Sequence, residues 1–226
     1  MSFRSTVKAL PFIGSIAAAL SRPFKRDRFR NSADYWQRRY VGGGNSGAGS
    51  YNRLAQFKAN FLNDFVRRND VRSVIEFGSG DGAQLELARY REYIGVDISK
   101  TAVEATRSRF GSDPSKRFYV LVDLPSGTQA ELSLSLDVIY HLVEDHVFEH
   151  HMRALFEASA RFVIIYSSDA DERGAAPHVR HRRFTDWIER EQPAFALKEY
   201  VPNAYPFDEN DPGKTSFADF FVFERA

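Results

Sequence analysis

The fold of this chain is decided by ten residues, Val74-Ile75-Glu76-Phe77-Gly78-Ser79-Gly80-Asp81-Gly82-Ala83. An apolar strand, predicted over 73–77, ends beside an acid and runs into three closely spaced glycines. Glycine has no Cβ, so it lets the backbone approach a ligand closely and adopts φ > 0 where a turn requires it. The pattern predicts a strand, a turn that binds a nucleotide-type cofactor, and then a helix over 83–90.

Two classes of cofactor fit such a turn, because Gly78, Gly80 and Ala83 also match the dinucleotide fingerprint with alanine in third place. Glu76 and Asp81 are unfavourable beside a pyrophosphate, which is doubly negative and prefers bare N–H groups at a helix N-terminus. S-adenosyl-L-methionine instead carries a sulfonium and an ammonium group. A carboxylate at the strand end suits those charges, directly or through water, so the acids favour this cofactor.

Length and composition predict one α/β domain preceded by an extension. The chain has 226 residues, 43% of them hydrophobic, which suffices for one substantial core. Its 31 basic and 30 acidic residues give a net charge of +1, so no nucleic-acid partner is expected. The absence of cysteine excludes disulfides, thiolate metal sites and a cysteine nucleophile, and it is compatible with the cytoplasm.

Residues 1–50 are predicted to be the extension and residues 51–226 the domain. The apolar run over 9–20 resembles a secretory signal, but it falls short of the ~20 residues that span a bilayer, and a cytosolic cofactor argues against secretion. Two alternatives stay open for residues 1–30: a helix docked on the domain, and a helix peripheral to the inner face of the membrane. Residues 42–50, which include five glycines, are predicted to be a flexible lid.

From residue 73 onward, strand-like runs alternate with helical ones, as in a parallel, doubly wound sheet. Strands are predicted at 73–77, 93–97, 118–122, 131–136, 161–166, 195–201 and 216–224. Helices are predicted at 83–90, 100–109, 146–158 and 184–191, after an earlier helix capped by Ser50. The last two strands are joined by a polar, proline-containing segment, so they are expected to be antiparallel, with the last strand inserted in the sheet. The expected fold is a Rossmann-like, seven-stranded α/β sheet in three layers, α-β-α.

Acids follow two further strands of the predicted sheet. Asp97 lies nineteen residues after Gly78, the spacing at which an acid reaches ribose hydroxyls in doubly wound folds. Asp123 follows the third strand, where an acceptor can take the adenine amino group, while Ile98 and Leu124 are placed to sandwich the ring. Asp123 can alternatively serve only as a strand-end cap.

The segment Glu76 to Gly82, then Asp97, Asp123 and the run Leu134 to His141, resembles the class I S-adenosylmethionine-dependent methyltransferases. The resemblance covers roughly residues 51 to 226 and implies a seven-stranded sheet with a reversed last strand. It implies that Asp97 holds the ribose, Asp123 lies by the adenine and Asp137 faces the methyl group. The methionine moiety would lie by the strand end and the glycine turn, at Glu76, Gly78, Ser79, Gly80 and Gly82, although the glycines can alternatively form only a tight turn.

Tyr35-Trp36 and Tyr40 also resemble the N-terminal segment that closes over the cofactor in small-molecule methyltransferases. The family resemblance is specific for the cofactor and not for the acceptor. The function expected is methyl transfer from S-adenosyl-L-methionine to oxygen or nitrogen of a small molecule or glycan. Two alternatives stay open: a nicotinamide-dependent oxidoreductase, and a noncatalytic scaffold that binds the cofactor or a membrane.

Histidine is the side chain best suited to accept a proton near neutral pH. His141 follows the fourth strand, where substrates of this fold bind, and is the first catalytic candidate. His178 and His181, in the basic run 178–183 after the fifth strand, are the second, and this run is also a candidate grip for a carboxylate or phosphate. Alternatively, His141 only caps or orients a helix, and the basic run is an ordinary surface turn. His146, His150 and His151 are interpreted as a solvated helix face.

A metal site is a weaker hypothesis, and no metal is predicted. Asp137 and Asp169 end adjacent strands, as metal-binding acids do in catechol-type methyltransferases. The residue beside Asp169 is Ala170, where a partner acid or amide is expected, and this counts against the site.

Overall fold

The computed structural model describes residues 29–172, 174 and 176–226. This part of the chain contains one seven-stranded sheet and five α-helices. The strands are β1 (Ser73–Phe77), β2 (Glu92–Asp97), β3 (Lys116–Val120), β4 (Ala130–Leu136), β5 (Ser159–Ser167), β6 (Phe195–Val201) and β7 (Asp219–Arg225). The helices are α1 (Ser32–Val41), α2 (Asn52–Arg68), α3 (Lys100–Phe110), α4 (Asp145–Glu157) and α5 (Phe184–Glu191).

The sheet has the strand order β3-β2-β1-β4-β5-β7-β6. Strands β1 to β5 are parallel, and β7 is antiparallel to both of its neighbours, β5 and β6. The strand order reverses between β1 and β4, the place where open α/β sheets bind ligands at their carboxyl ends. The predicted α/β fold, with a reversed last strand inserted in the sheet, is confirmed.

Alternate side chains of β1 enter two separate cores, because successive residues of a strand point to opposite faces of the sheet. Ile75 and Phe77 belong to a cluster that includes Met152 of α4. Val74 belongs to a second cluster that includes Phe65 of α2. The sheet is therefore covered on both faces, as the three-layer prediction requires.

The helix predicted over 83–90 is wrong, since the chain there makes only a short 3-10 turn at Leu85–Leu87. Asn63 of α2 explains why the helix does not propagate. Its side-chain amide donates to the carbonyl of Leu87 and accepts from the N–H of Arg89, so backbone groups that a helix needs are bonded elsewhere. Tyr90 then stacks on Tyr93 with ring centroids 5.8 Å apart.

Two smaller differences concern the ends of elements. Strand β3 ends at Val120, opposite the last residue of β2, so the chain turns at Leu121–Asp123 where the strand was predicted to continue. Tyr51, and not Ser50, occupies the N-cap of α2. The apolar run at 9–20 lies outside the described residues, and within the described part no helix is long and apolar enough to cross a membrane.

Candidate functional site

A cavity opens at the carboxyl ends of β1, β2 and β4. It has about 940 Å³ of empty space when its open mouth is counted. Five of the predicted cofactor-binding and catalytic residues line it: Gly78, Asp97, Ile98, Asp137 and His141. We call this the cofactor cavity.

Of the glycine turn, Gly78 lines this cavity, whereas Gly80 and Gly82 do not. The turn has a backbone geometry that other residues rarely adopt. Gly78, Gly80 and Gly82 have φ of 87°, 58° and 78°, all in the left-handed region. The N–H of Gly78 donates to the carbonyl of Val96 at 2.7 Å, which ties the turn to β2. A Cβ at Gly78 would collide with Val138, so the close approach of the chain after β4 depends on this glycine.

Asp97 both shapes the turn and faces the cavity. Its carboxylate accepts the N–H of Gly80 at 2.9 Å and the N–H of Ser99 at 2.8 Å, and burial raises its pKa. Ile98, beside it, is 43% exposed and offers an apolar surface at the cavity wall. A buried carboxylate next to an exposed apolar side chain and a glycine floor fits the ribose and adenine of an adenosyl cofactor.

Glu76 is not among the residues that line the cofactor cavity. It is buried on the α2 face of the sheet, where its carboxylate accepts the hydroxyl of Tyr93 at 2.6 Å. Burial raises its pKa to about 7, against the lowering effect of the Tyr93 hydrogen bond and the Lys58 charge. Ser79 does not line the cofactor cavity either. Its buried hydroxyl has no hydrogen-bond partner among the described residues.

The structure does not bring Asp123 to the cofactor cavity. Asp123 is exposed at the end of the 3-10 turn after β3, and Leu124 packs partly buried against the core. Leu121, two residues before Asp123, lines the cavity instead. The early end of β3 explains this displacement.

The segment 42–50 lies over the turn and is tied to it by hydrogen bonds. The N–H of Ser46 donates to Asp81 at 2.9 Å, and the Ser46 hydroxyl accepts the N–H of Asp81 at 3.0 Å. The hydroxyl of Tyr40 lies 2.9 Å from the same Ser46 oxygen, and that of Tyr51 donates to Asp81 at 2.7 Å. Two hydrogen bonds therefore hold Ser46 of the glycine-rich segment against the glycine turn, and the bonds of Tyr40 and Tyr51 support its two ends.

Helix α1 forms the adjoining wall. Ser32, at its start, donates through its N–H and its hydroxyl to Glu144 at 3.1 and 2.7 Å, which joins α1 to the segment before α4. Trp36 and Tyr40 then line the cofactor cavity. The N-terminal aromatics singled out from the sequence thus lie at the site.

A second cavity lies on the other side of α1 and the glycine-rich segment. Four residues, Trp36, Ser46, Asp137 and His141, line both cavities, so the two meet there. We call the second one the acceptor chamber, and the place where they meet the junction. Aromatic side chains dominate its wall: Tyr35, Trp36, Tyr140, His141, His178, Phe207 and Phe217.

His141 stands at the junction as a neutral imidazole. Its Nδ1 lies 3.1 Å from the carbonyl oxygen of His178. A carbonyl only accepts, so Nδ1 carries the proton and Nε2 holds the lone pair. Burial lowers the pKa of His141 to about 4, so the ring stays neutral at physiological pH.

His178 and His181 differ in position. His178 lines the acceptor chamber, stacks on Tyr35 with ring centroids 4.2 Å apart, and has its Nε2 3.2 Å from the Tyr35 hydroxyl. His181 lines neither cavity and hydrogen-bonds through Nδ1 to the Ser168 hydroxyl at 2.6 Å. Of the predicted histidines, the structure therefore brings His141 and His178 together.

Two of the three arginines of the run 178–183, Arg180 and Arg182, make contacts within the protein. Arg182 is buried and donates to Asp145 at 2.6 Å and to the carbonyls of Leu142 and Val143. Arg180 donates to Asp145 at 2.9 Å and to the Val143 carbonyl. These arginines clamp the segment that carries His141, a role different from the predicted grip on a substrate.

Lys58 and His151 are two titratable residues near the site that the sequence prediction missed. Lys58 of α2 is 1% exposed and its Nζ lies 2.5 Å from an oxygen of Asp137. The signal was its position one helical turn from the apolar Leu54 and Leu62. His151 was interpreted as solvated, which is wrong, because it lines the cofactor cavity and lies 2.9 Å from the buried Ser135 hydroxyl.

Asp169, the second acid of the metal hypothesis, is engaged elsewhere. It accepts the N–H of Thr185 at 3.2 Å and the Thr185 hydroxyl at 2.6 Å, at the start of α5. Within the described residues, no three histidine, aspartate or glutamate side chains are grouped in a way that could hold a metal ion.

No protein-family model matches the chain, and a search of curated proteins gives no match. Among solved structures, the N-methyltransferase NodS from Bradyrhizobium japonicum WM9, in complex with S-adenosyl-L-homocysteine, has a TM-score of 0.66 at 14% identity, covering 87% of this chain and 99% of that one. Magnesium protoporphyrin IX methyltransferase from Synechocystis PCC 6803, with bound S-adenosylmethionine, has a TM-score of 0.61 at 15% identity and covers 88% and 100%. The methyltransferase domain of bacterial CtHen1 has a TM-score of 0.60 at 18% identity and covers 77% and 100%. The chain therefore has the fold of the class I S-adenosyl-L-methionine-dependent methyltransferases.

Proposed function

We propose that this protein transfers a methyl group from S-adenosyl-L-methionine to oxygen or nitrogen of a small-molecule or glycan acceptor. The observation that carries the proposal is the junction, where two cavities share Trp36, Ser46, Asp137 and His141. Methyl transfer is an in-line displacement, so it needs a donor and an acceptor on opposite sides of the migrating carbon. Two cavities that meet at a short shared wall supply that arrangement.

In this proposal the cofactor cavity holds the donor. Asp97 binds the ribose hydroxyls, Ile98 and Leu121 contact the adenine, and the backbone at Gly78 faces the methionine part. When bound, S-adenosyl-L-methionine supplies a methyl group on a sulfonium that is already activated. The protein then contributes alignment and exclusion of water, for which α1 and the segment 42–50 are placed.

His141 is the proposed proton acceptor. Its Nε2 carries the lone pair, because Nδ1 is committed to the His178 carbonyl. A group with a pKa of about 4 is a weak base, which suffices for a hydroxyl acceptor because the oxonium formed when the oxygen is methylated is strongly acidic. A neutral amine reacts through its own lone pair, and the ammonium that forms needs no base of the protein. The base is thus available over the whole neutral range.

The acceptor chamber fits a small molecule or a sugar better than a nucleic acid. Its wall is aromatic, and aromatic faces stack on flat or CH-rich ligand surfaces. The loop that contributes Phe207 to the chamber also carries Asp208 and Glu209, both exposed, and these carboxylates disfavour a phosphate backbone along that loop. Arg39 in the chamber wall would favour a single anionic group on the acceptor. This distinction matters because one of the similar structures is a Hen1 domain, and its relative HEN1 is a small RNA methyltransferase.

Calorimetry with S-adenosyl-L-methionine and S-adenosyl-L-homocysteine tests the cofactor, and binding of neither would refute the proposal. A methylation assay with labelled cofactor then compares metabolite fractions, glycan fractions and small RNA as acceptors. Label found in RNA alone would overturn the acceptor class. His141→Ala is expected to retain cofactor binding and lose at least tenfold in turnover, whereas His146→Ala, an exposed residue of α4, serves as the matched control.

A further inference from the structure

The junction contains a buried ion pair that joins α2 to the end of β4. The Lys58 ammonium lies 2.5 Å from one Asp137 oxygen, and the Tyr140 hydroxyl donates to the other at 2.8 Å. The side chain of Lys58 is 1% exposed and that of Asp137 is 13% exposed. The one side of the pair that reaches open space is therefore the carboxylate, which lines both cavities.

The backbone holds this carboxylate at a fixed position. Asp137 has φ of 59°, a left-handed conformation that is rare outside glycine, and its N–H donates to the Tyr166 carbonyl at 2.9 Å. Gly49 lies directly above it, since a Cβ there would stand 2.5 Å from the carboxylate oxygen. Strain that persists at a functional site indicates that the surrounding structure determines the position.

We infer that Lys58 is a specificity-determining residue, which partly neutralises Asp137 and thereby limits how strongly the site prefers the sulfonium cofactor over its uncharged thioether product. This inference rests on the proposed function. S-adenosyl-L-methionine carries one more positive charge than S-adenosyl-L-homocysteine, and that charge is at the sulfur. A bare carboxylate at the junction would bind the cation selectively, whereas a carboxylate paired with an ammonium presents a dipole whose field falls off faster.

The partial neutralisation has a consequence for catalysis. Interactions that stabilise the ground state more than the transition state lower the rate. The positive charge leaves the sulfur as the methyl group moves to the acceptor, so an unpaired carboxylate would stabilise the reactant state. Lys58 reduces this stabilisation of the reactant state. Because the lysine is buried, its ion pair also holds the Asp137 side chain at the shared wall.

The test measures dissociation constants by calorimetry for both S-adenosyl-L-methionine and S-adenosyl-L-homocysteine, and compares their ratio between variants. Relative to S-adenosyl-L-homocysteine, Lys58→Met is expected to bind S-adenosyl-L-methionine about tenfold more tightly than the unsubstituted protein does, which corresponds to about 1.4 kcal/mol. Lys58→Met/Asp137→Asn, which removes both charges, is expected to return the ratio to within about threefold of the unsubstituted protein. Measurement at pH 6.0 keeps Glu76, with a pKa of about 7, largely protonated, so its charge does not enter the comparison.

Lys198→Met is the matched control, because Lys198 is also paired with a carboxylate, Glu224, on an edge strand outside both cavities. It should leave the ratio unchanged. If Lys58→Met does not fold, Lys58→Gln gives the same test, since its amide still donates to Asp137 without the charge. A ratio that stays within twofold, or moves toward S-adenosyl-L-homocysteine, overturns the inference alone, whereas failure of the unsubstituted protein to bind either ligand overturns the proposed function.

Discussion

Replacing His151 by glutamine should make the protein less sensitive to acid. His151 lines the cofactor cavity from α4, and burial lowers its pKa to about 4. In an unfolded chain a histidine has a pKa of about 6.5. Between these values the unfolded chain binds a proton that the folded chain does not, so the free energy of unfolding falls as the pH falls.

The magnitude follows from the difference between the two pKa values. One pKa unit corresponds to ~1.4 kcal/mol, so acidification from about pH 7.5 to about pH 4.5 costs up to ~3 kcal/mol at this single site. Solvent at the mouth of the cavity reduces the expected value to about 2 kcal/mol. Glutamine can keep a hydrogen bond to Ser135 but does not titrate. On the same acidification, the free energy of unfolding of His151→Gln should therefore fall by about 2 kcal/mol less than that of the unsubstituted protein.

Urea unfolding of both proteins at the two pH values, followed by circular dichroism, measures this difference. Other titrating groups are common to both proteins and cancel. Glu76 in particular acts with the opposite sign, because its pKa is raised to about 7 and the folded chain then binds the extra proton between that value and 4.5. His146→Gln, on the exposed side of the same helix, is the control. Equal acid sensitivity of the unsubstituted protein and His151→Gln would refute the assignment of His151 as a buried neutral group.

Two further substitutions test the walls of the site. Gly49→Ala places a methyl group 2.5 Å from an Asp137 oxygen and should displace the segment 42–50. The displacement should appear as faster proteolysis at that segment and as weaker binding of S-adenosyl-L-homocysteine. Gly213→Ala is the control, because Gly213 has open space around it, and it should change neither. Asp97→Asn removes the negative charge of the group that accepts the Gly80 N–H and is proposed to bind the ribose. S-adenosyl-L-homocysteine should therefore bind about 10 to 100 times more weakly, as measured by calorimetry. Unchanged affinity would exclude Asp97 from the cofactor site.

The fold was predictable from sequence wherever hydrophobic patterns extend over a whole element. Strands β1 and β6 and helix α5 begin and end at the predicted residues, because their apolar residues are bounded by polar or glycine-containing segments. The helix over 83–90 was not predictable, because what prevents it is a side chain from another helix, Asn63, bonding to its backbone. Such competition depends on tertiary contacts that no local pattern contains.

Part of the site was predictable because some residues are fixed by the end of a strand. Asp97 and Asp137 line the cofactor cavity as expected, because parallel strands bring their carboxyl ends to one edge of the sheet. Lys58 and His151 were missed because each lies on a helix, where a polar residue on the buried face looks like an irregularity in an amphipathic pattern. Their function depends on packing against a particular strand, which helical periodicity does not specify.

The acids used to select the cofactor from the sequence have other partners in the fold. Asp81 accepts the N–H groups of Ser46 and Ala83 and the hydroxyl of Tyr51, so its charge holds the glycine-rich segment in place. Glu76, with a pKa of about 7, is half neutral near physiological pH and faces away from the cavity. Asp137 is the carboxylate that reaches the junction, and its charge is shared with a lysine. Under the proposed function, a positively charged methyl donor is therefore selected less by the acids around the glycine turn than by one carboxylate whose strength α2 adjusts.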